Sequence, residues 1–166
     1  MTLVSERIGQ FFHDGHRLEY TEYGGGDRWV VLVHGQLMPR RMHQPLARYL
    51  AGEGARVLTV DLLGHGRSDC PSDMTRYSMP AFGQQMIALL DHLEVHDAVL
   101  GGTSLGANAT LEAAVHAPER VRGILVASRG AQRGAEVGPD IGAVVRDVDG
   151  DVPHDADAAC IRRLAD

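Results

Sequence analysis

A chain of 166 residues has the length of one domain, with enough sequence to bury a sizeable core. Its hydrophobic share of 44% and charged share of 23% exclude a wholly disordered, collagen-like or disulfide-scaffold chain. A net charge of −6, with every one of the sixteen basic residues an arginine, leaves no basic footprint for nucleic acid.

The first element expected is a hairpin over "IGQFFHDGHRLEYTEYGGG", because Asp14-Gly15 is a two-residue turn signal between aromatic and β-branched runs. "RWVVLVHG" (28–35) is a continuous apolar run ending in a turn, the pattern of a strand buried on both faces. "PLARYLAGEG" has helical spacing, with Leu46, Tyr49 and Leu50 on one side and Gly52 and Gly54 closing it. "RVLTVD" (56–61) is a second buried strand, followed by the loop "LLGHGRSDCPSD". "MPAFGQQMIALLDHLEV" is the strongest helix, since Phe82, Met86, Leu89, Leu90 and Leu93 recur at three- and four-residue steps. "HDAVLGG" (96–102) is a third buried strand. "LGANATLEAAVHA" is an Ala-rich helix stopped before Pro118, and "VRGILVAS" (121–128) is a fourth strand.

Buried strands alternating with helices give an α/β fold, a mostly parallel sheet with helices on both faces, entered through the hairpin. After Ser128 the pattern changes. Residues 129–166 hold no aromatic side chain and are dense in Gly, Asp, Arg and small residues. "IGAVVRDV" fits a short strand or a short helix, and the division expected is 1–128 against a weakly patterned tail, 129–166. The cysteines, Cys70 and Cys160, stand in no metal-binding or redox spacing, so a reducing cytoplasm is the expected compartment. The N-terminus lacks the apolar run of a signal peptide, and no segment approaches the roughly 18 apolar residues of a membrane span.

The chemistry concentrates in "VLGGTSLGANAT". A strand, then Gly102-Thr103-Ser104-Leu105-Gly106, then a helix is the setting in which a serine is displayed on a sharp turn at the carboxyl edge of a sheet. The alternative is a glycine-rich turn in which Ser104 only caps the helix. "VLVHGQ" puts a loop early in the chain whose backbone N–H, at Gln36 or its neighbour Leu37, joins that of Leu105 as an oxyanion donor, while the His34 side chain reads as a buried structural imidazole. "DLLGHGRSD" (61–69) is the third motif.

Together, and in this order and spacing, these motifs resemble the α/β-hydrolase fold family over about 11–128, the last strands of that fold having no evident counterpart. The resemblance implies a loop-shaping role for Asp61, His65 and Ser68. It also implies acyl transfer in which Ser104 attacks a carbonyl, a histidine takes the proton and an acid orients the histidine. Family members with Asp at the elbow are dehalogenases and epoxide hydrolases. Serine points to esterase, lipase, thioesterase, C–C hydrolase or perhydrolase chemistry on a small ester-like substrate, with no cofactor.

The family order places acid and base downstream of the serine. The downstream histidines are His116, in the helix leaving the elbow, and His154, the base candidate, in "DVPHDAD". Acid candidates are Asp140, Asp147, Asp149 and Asp151. The rival reading is a truncated or inactive remnant that acts as a binding module, or a site that another chain completes; an exposed sheet edge would then favour a homo-oligomer. His92 and His96 in "HLEVH" are spaced like zinc ligands, but Glu94 sits in the wrong slot and no metal site is expected.

Overall fold

β1 (Glu6–His13) and β2 (His16–Gly24) pair antiparallel around the expected turn, with Asp14 and Gly15 both at positive φ (49° and 78°). That twist suits a tight hairpin, and it continues the right-handed twist of the strands. The computed structural model describes residues 4–128 and 142–147. β3 (Arg28–Val33), α1 (Gln44–Gly52), β4 (Ala55–Val60), α2 (Met79–His92), β5 (Ala98–Thr103), α3 (Leu105–His116) and β6 (Val121–Ser128) follow. β3 stops two residues short of the apolar run because His34 and Gly35 leave the ladder for other partners, described below.

The stretch that fitted either strand or helix is a strand. β7 (Gly142–Asp147) runs parallel to β6, with Val126 opposite Val145 and Ser128 opposite Asp147. The consecutive β-branched residues Val144 and Val145 favour a strand over a helix, and the sheet thus extends beyond Ser128. Its order is β1-β2-β4-β3-β5-β6-β7. β4, β3, β5, β6 and β7 pair parallel in that order, and β2 pairs antiparallel with both β1 and β4.

Alternation along the central strands explains why both faces need cover. Val31 and Val33 pack with Leu58, Val60 and Leu100 against Phe82, Met86, Leu89, Leu90, Ala109 and Ala113 of α2 and α3. Val30, Leu32 and Val57 turn the other way, onto Ala47 and Leu50 of α1. α2 starts where Ser78 accepts a hydrogen bond from the Ala81 N–H (3.3 Å) with a proline in the first turn, a standard helix start.

The chain passes from β3 to β4 on one side of it, and then from β4 through α2 to β5 on the other side. The crevice at the carboxyl ends of β3 and β5 is therefore the point where strand order reverses, the usual ligand position in open α/β sheets.

A buried ion cluster ties the loops around that crevice. Arg40, in a 3₁₀ turn (Arg40–His43), donates through its guanidinium to Asp61, to Glu19 (2.6 Å) and to Thr21 Oγ1 (2.9 Å). Its backbone N–H donates to the other Asp61 oxygen (2.6 Å), which itself belongs to a wholly buried side chain. Ser68 Oγ donates to the Asp61 carbonyl (2.6 Å) and accepts from the Glu19 N–H (3.0 Å). Removing the cation would strand two carboxylates in a site with almost no solvent access. Arg40→Met should therefore lower unfolding free energy by about 3–5 kcal/mol in urea titrations. A loss below about 1 kcal/mol would show that water reaches the carboxylates.

Candidate active site

Ser104 occupies the turn between β5 and α3 at φ 54°, ψ −107°, a combination that L side chains rarely adopt. The neighbouring glycines explain how it is held. A Cβ on Gly102 would lie 2.6 Å from the Gly106 carbonyl oxygen. A Cβ on Gly106 would run into the Val33 carbonyl and lie 2.8 Å from that of His34. The turn is thus pressed against the end of β3, and only glycine fits on either side. Ser104 makes no side-chain cap to α3 and is exposed, so the capping alternative fails. Among the described residues no side chain is hydrogen-bonded to Ser104 Oγ. Leu105 is the first residue of α3, where N–H groups lack intrahelical acceptors and the helix dipole favours negative charge.

The loop leaving β3 lies directly alongside. A Cβ built on Gly35 would be 3.9 Å from Ser104 Cβ and 3.5 Å from the Thr103 carbonyl oxygen. Gly35 opens a turn in which its carbonyl accepts from the Met38 N–H (3.1 Å), with Leu37 at φ 62°. Gln36 and Leu37 are both exposed there. Gln36, one of the expected donors, thus follows directly on a residue that lies against Ser104, and Leu105, the other, follows Ser104 itself.

His34 is fully buried, as expected of a structural imidazole. Its Nε2 accepts from the Leu62 N–H (3.1 Å), which fixes the proton on Nδ1, and Nδ1–H donates to the Gly35 carbonyl (2.9 Å). Both nitrogens are consumed, so His34 has no lone pair for Ser104. Burial pushes its pKa down to about 4. His65 stacks on it at 4.6 Å and bonds the Leu63 carbonyl, and Asp61 and Ser68 are in the ion cluster, so all three of these motif residues hold loops.

Three further histidines lie elsewhere. His116 ends α3, about 17 Å along the axis from Ser104, and its Nδ1 bonds the Glu112 carbonyl. His92 packs on Phe11 and Tyr20, whereas His96 pairs with Asp97. His154 lies outside the described residues, as do Asp140, Asp149 and Asp151. In the sequence Asp147 is one of four acid candidates, none of which follows a recognisable strand of the family fold. It ends β7 instead, level with Ser128 on β6, on the carboxyl edge that carries Ser104. Sequence reasoning also missed Arg40 and Glu19, because neither a charged pair in "PRRM" nor a Glu within a strand signals burial.

The model of the α/β hydrolase fold family matches residues 28–158. The chain belongs to the α/β hydrolase fold family. It is 38% identical over 121 residues to the dihydrolipoyllysine-residue acetyltransferase component of the acetoin cleaving system of Pseudomonas putida. It is 32% identical over 113 residues to a haloalkane dehalogenase of Mycolicibacterium paratuberculosis. These matches cover 70% and 68% of this chain but 31% and 38% of the relatives, so the chain spans about a third of their length. The crystal structure of epoxide hydrolase A from Mycobacterium thermoresistibile superposes with a TM-score of 0.69 at 28% identity, over 79% of this chain and 42% of that one. No helix among the described residues is long and apolar enough to cross a membrane.

The buried His34 makes the hydrolase-type core pH-sensitive. An unfolded histidine titrates near 6.5, and the folded one near 4. Between those values the unfolded chain takes up a proton that the folded chain refuses. Stability is therefore full above about pH 6.5 and declines as pH falls towards 4, by up to about 3 kcal/mol from this group. Urea midpoints measured from pH 7 to 4.5 should fall accordingly, and more steeply than in His34→Asn. Parallel profiles would contradict the assignment.

Proposed function

We propose that the chain carries a serine hydrolase site that transfers an acyl group from a small ester-like substrate to water. Ser104 Oγ is the nucleophile, and the N–H groups of Gln36 and Leu105 receive the developing oxyanion. The observation that carries this reading is the backbone of Ser104, strained, exposed and free of any capping role between two glycines that tolerate no side chain. Strain of about 1–3 kcal/mol persists where the surroundings over-determine it, and such positions cluster at functional sites.

The identity of the nucleophile narrows the substrate. A carboxylate attacking an alkyl halide or an epoxide leaves an ester, which water can cleave at its carbonyl. A serine attacking the same carbon would leave an ether, with no carbonyl for water to attack. Serine is therefore productive on acyl carbon, which supports ester chemistry for this chain over the dehalogenation and epoxide opening named for its relatives.

His154 is the proposed base and Asp147 the proposed acid. Two strand spacings, about 10 Å, separate the ends of β5 and β7. The seven residues from Asp147 to His154 can span roughly 23 Å when extended, enough to return to Ser104. The second reading, a site completed by another chain or kept without its base, is favoured by the absence of any histidine on Ser104 among the described residues.

A fluorophosphonate probe separates them. Attack by Ser104 Oγ forms an O–P bond and expels fluoride, leaving a stable adduct. The full chain should label, Ser104→Ala should not, and His154→Ala should label at least 10²-fold more slowly. Absence of labelling in folded protein would overturn the self-sufficient hydrolase. Equal rates with and without His154 would remove that residue as base.

A further inference from the structure

Both peptide groups flanking Gly35 are pinned, and by partners outside the usual backbone ladder. The N–H of Gly35 donates to the thioether Sδ of Met42 at 3.1 Å. The Gly35 carbonyl accepts from His34 Nδ1–H (2.9 Å) and from the Met38 N–H (3.1 Å). A peptide is planar and trans, so its N–H points opposite its C=O. Fixing the Gly35 carbonyl towards His34 and Met38 therefore fixes the Gln36 N–H in the opposite direction. Gly35 itself has no side chain to restrain rotation on either side, and sits against Ser104 Cβ and Thr103.

We propose that Met42 is a positioning residue for the oxyanion turn: its sulfur holds the Gly35 N–H so that the next N–H, that of Gln36, stays directed at the oxygen developing on a substrate bound to Ser104. This rests on the serine-hydrolase reading above. Two features of the arrangement favour it. Met42 lies in the Arg40–His43 turn, which the Arg40–Asp61 ion pair and the His43 bond to the Val33 carbonyl (3.0 Å) anchor to the sheet. The sulfur is thus a fixed acceptor rather than the end of a free side chain. The bond also takes the Gly35 N–H out of contention as a donor, which leaves Gln36 as the next N–H along the turn. Without the thioether, rotation about Gly35 would be opposed from one side only, and the donor would be aimed for a smaller fraction of the time.

Met42→Leu tests this at nearly constant volume, since leucine removes the acceptor and keeps the packing. Amide hydrogen exchange at Gly35 should accelerate at least 10-fold in Met42→Leu relative to wild type, with the urea midpoint little changed. Fluorophosphonate labelling should show a maximal rate at least 10-fold lower with the half-saturating probe concentration unchanged. Met42→Gln, which restores an acceptor of similar length, should recover part of both effects. Unchanged Gly35 exchange in Met42→Leu would overturn the proposal, as would labelling at the wild-type rate. If wild-type protein does not label at all, the hydrolase reading fails and Met42's role in positioning an oxyanion donor with it. The exchange arm still reports whether the sulfur restrains the turn, so the two failures are distinguishable.

Discussion

The backbone of Ser104 is forced into a conformation that L-residues avoid, and the rest of the crevice is arranged around keeping it there. Its φ of 54° and ψ of −107° persist because Gly106 lets the turn close onto the Val33 and His34 carbonyls at the end of β3, and Gly102 lets the Gly106 backbone fold back onto β5. A side chain at Gly106 would push the turn off β3, and one at Gly102 would prise the elbow open. The same close approach puts the β3 loop beside the serine, so the turn after β3 and the elbow are positioned by one contact. The order of the strands does the rest: β3 and β5 are neighbours whose connections depart in opposite directions, which opens the crevice between them.

Holding strained backbone needs stiff surroundings, and here they are polar as well as apolar. The Arg40 cluster joins β2, the loop after β3 and the loop after β4 through Glu19, Asp61 and Thr21. Buried charges of this kind contribute little net stability compared with an apolar core, but they are costly to break singly. They also permit few alternative geometries. The neutral His34, linking Leu62 to Gly35, carries the restraint from the β4 loop to the turn beside Ser104.

Much of this was legible in the sequence, for identifiable reasons. Hydrophobic period separated the strands from α2, and the Asp14-Gly15 turn announced the hairpin. The three Gly-containing motifs located the crevice, and at Gly64, Gly66, Gly102 and Gly106 the glycine answers a local steric demand. Arg40 and Glu19 were not legible, since their burial depends on charges brought together from residues far apart in the chain. Met42 was not legible either: a methionine near a helix start reads as packing, and only coordinates reveal its sulfur on an N–H. The strand β7 was ambiguous because "GAVVRD" is too short for its period to decide, and pairing with β6 decided it. Asp147 gained its place at the carboxyl edge only through that pairing.

The strain at Ser104 is open to direct measurement by comparing Ser104→Gly with Ser104→Ala in urea titrations. At an ordinary position alanine is the more stable of the two by about 0.4–1 kcal/mol, because glycine gains more freedom on unfolding. At φ 54°, ψ −107° glycine is relieved of a clash that alanine keeps, so the order should reverse, with Ser104→Gly more stable than Ser104→Ala by about 1 kcal/mol or more. Equal stabilities, or alanine the more stable, would contradict a strained elbow and with it the structural basis for Ser104 as a nucleophile.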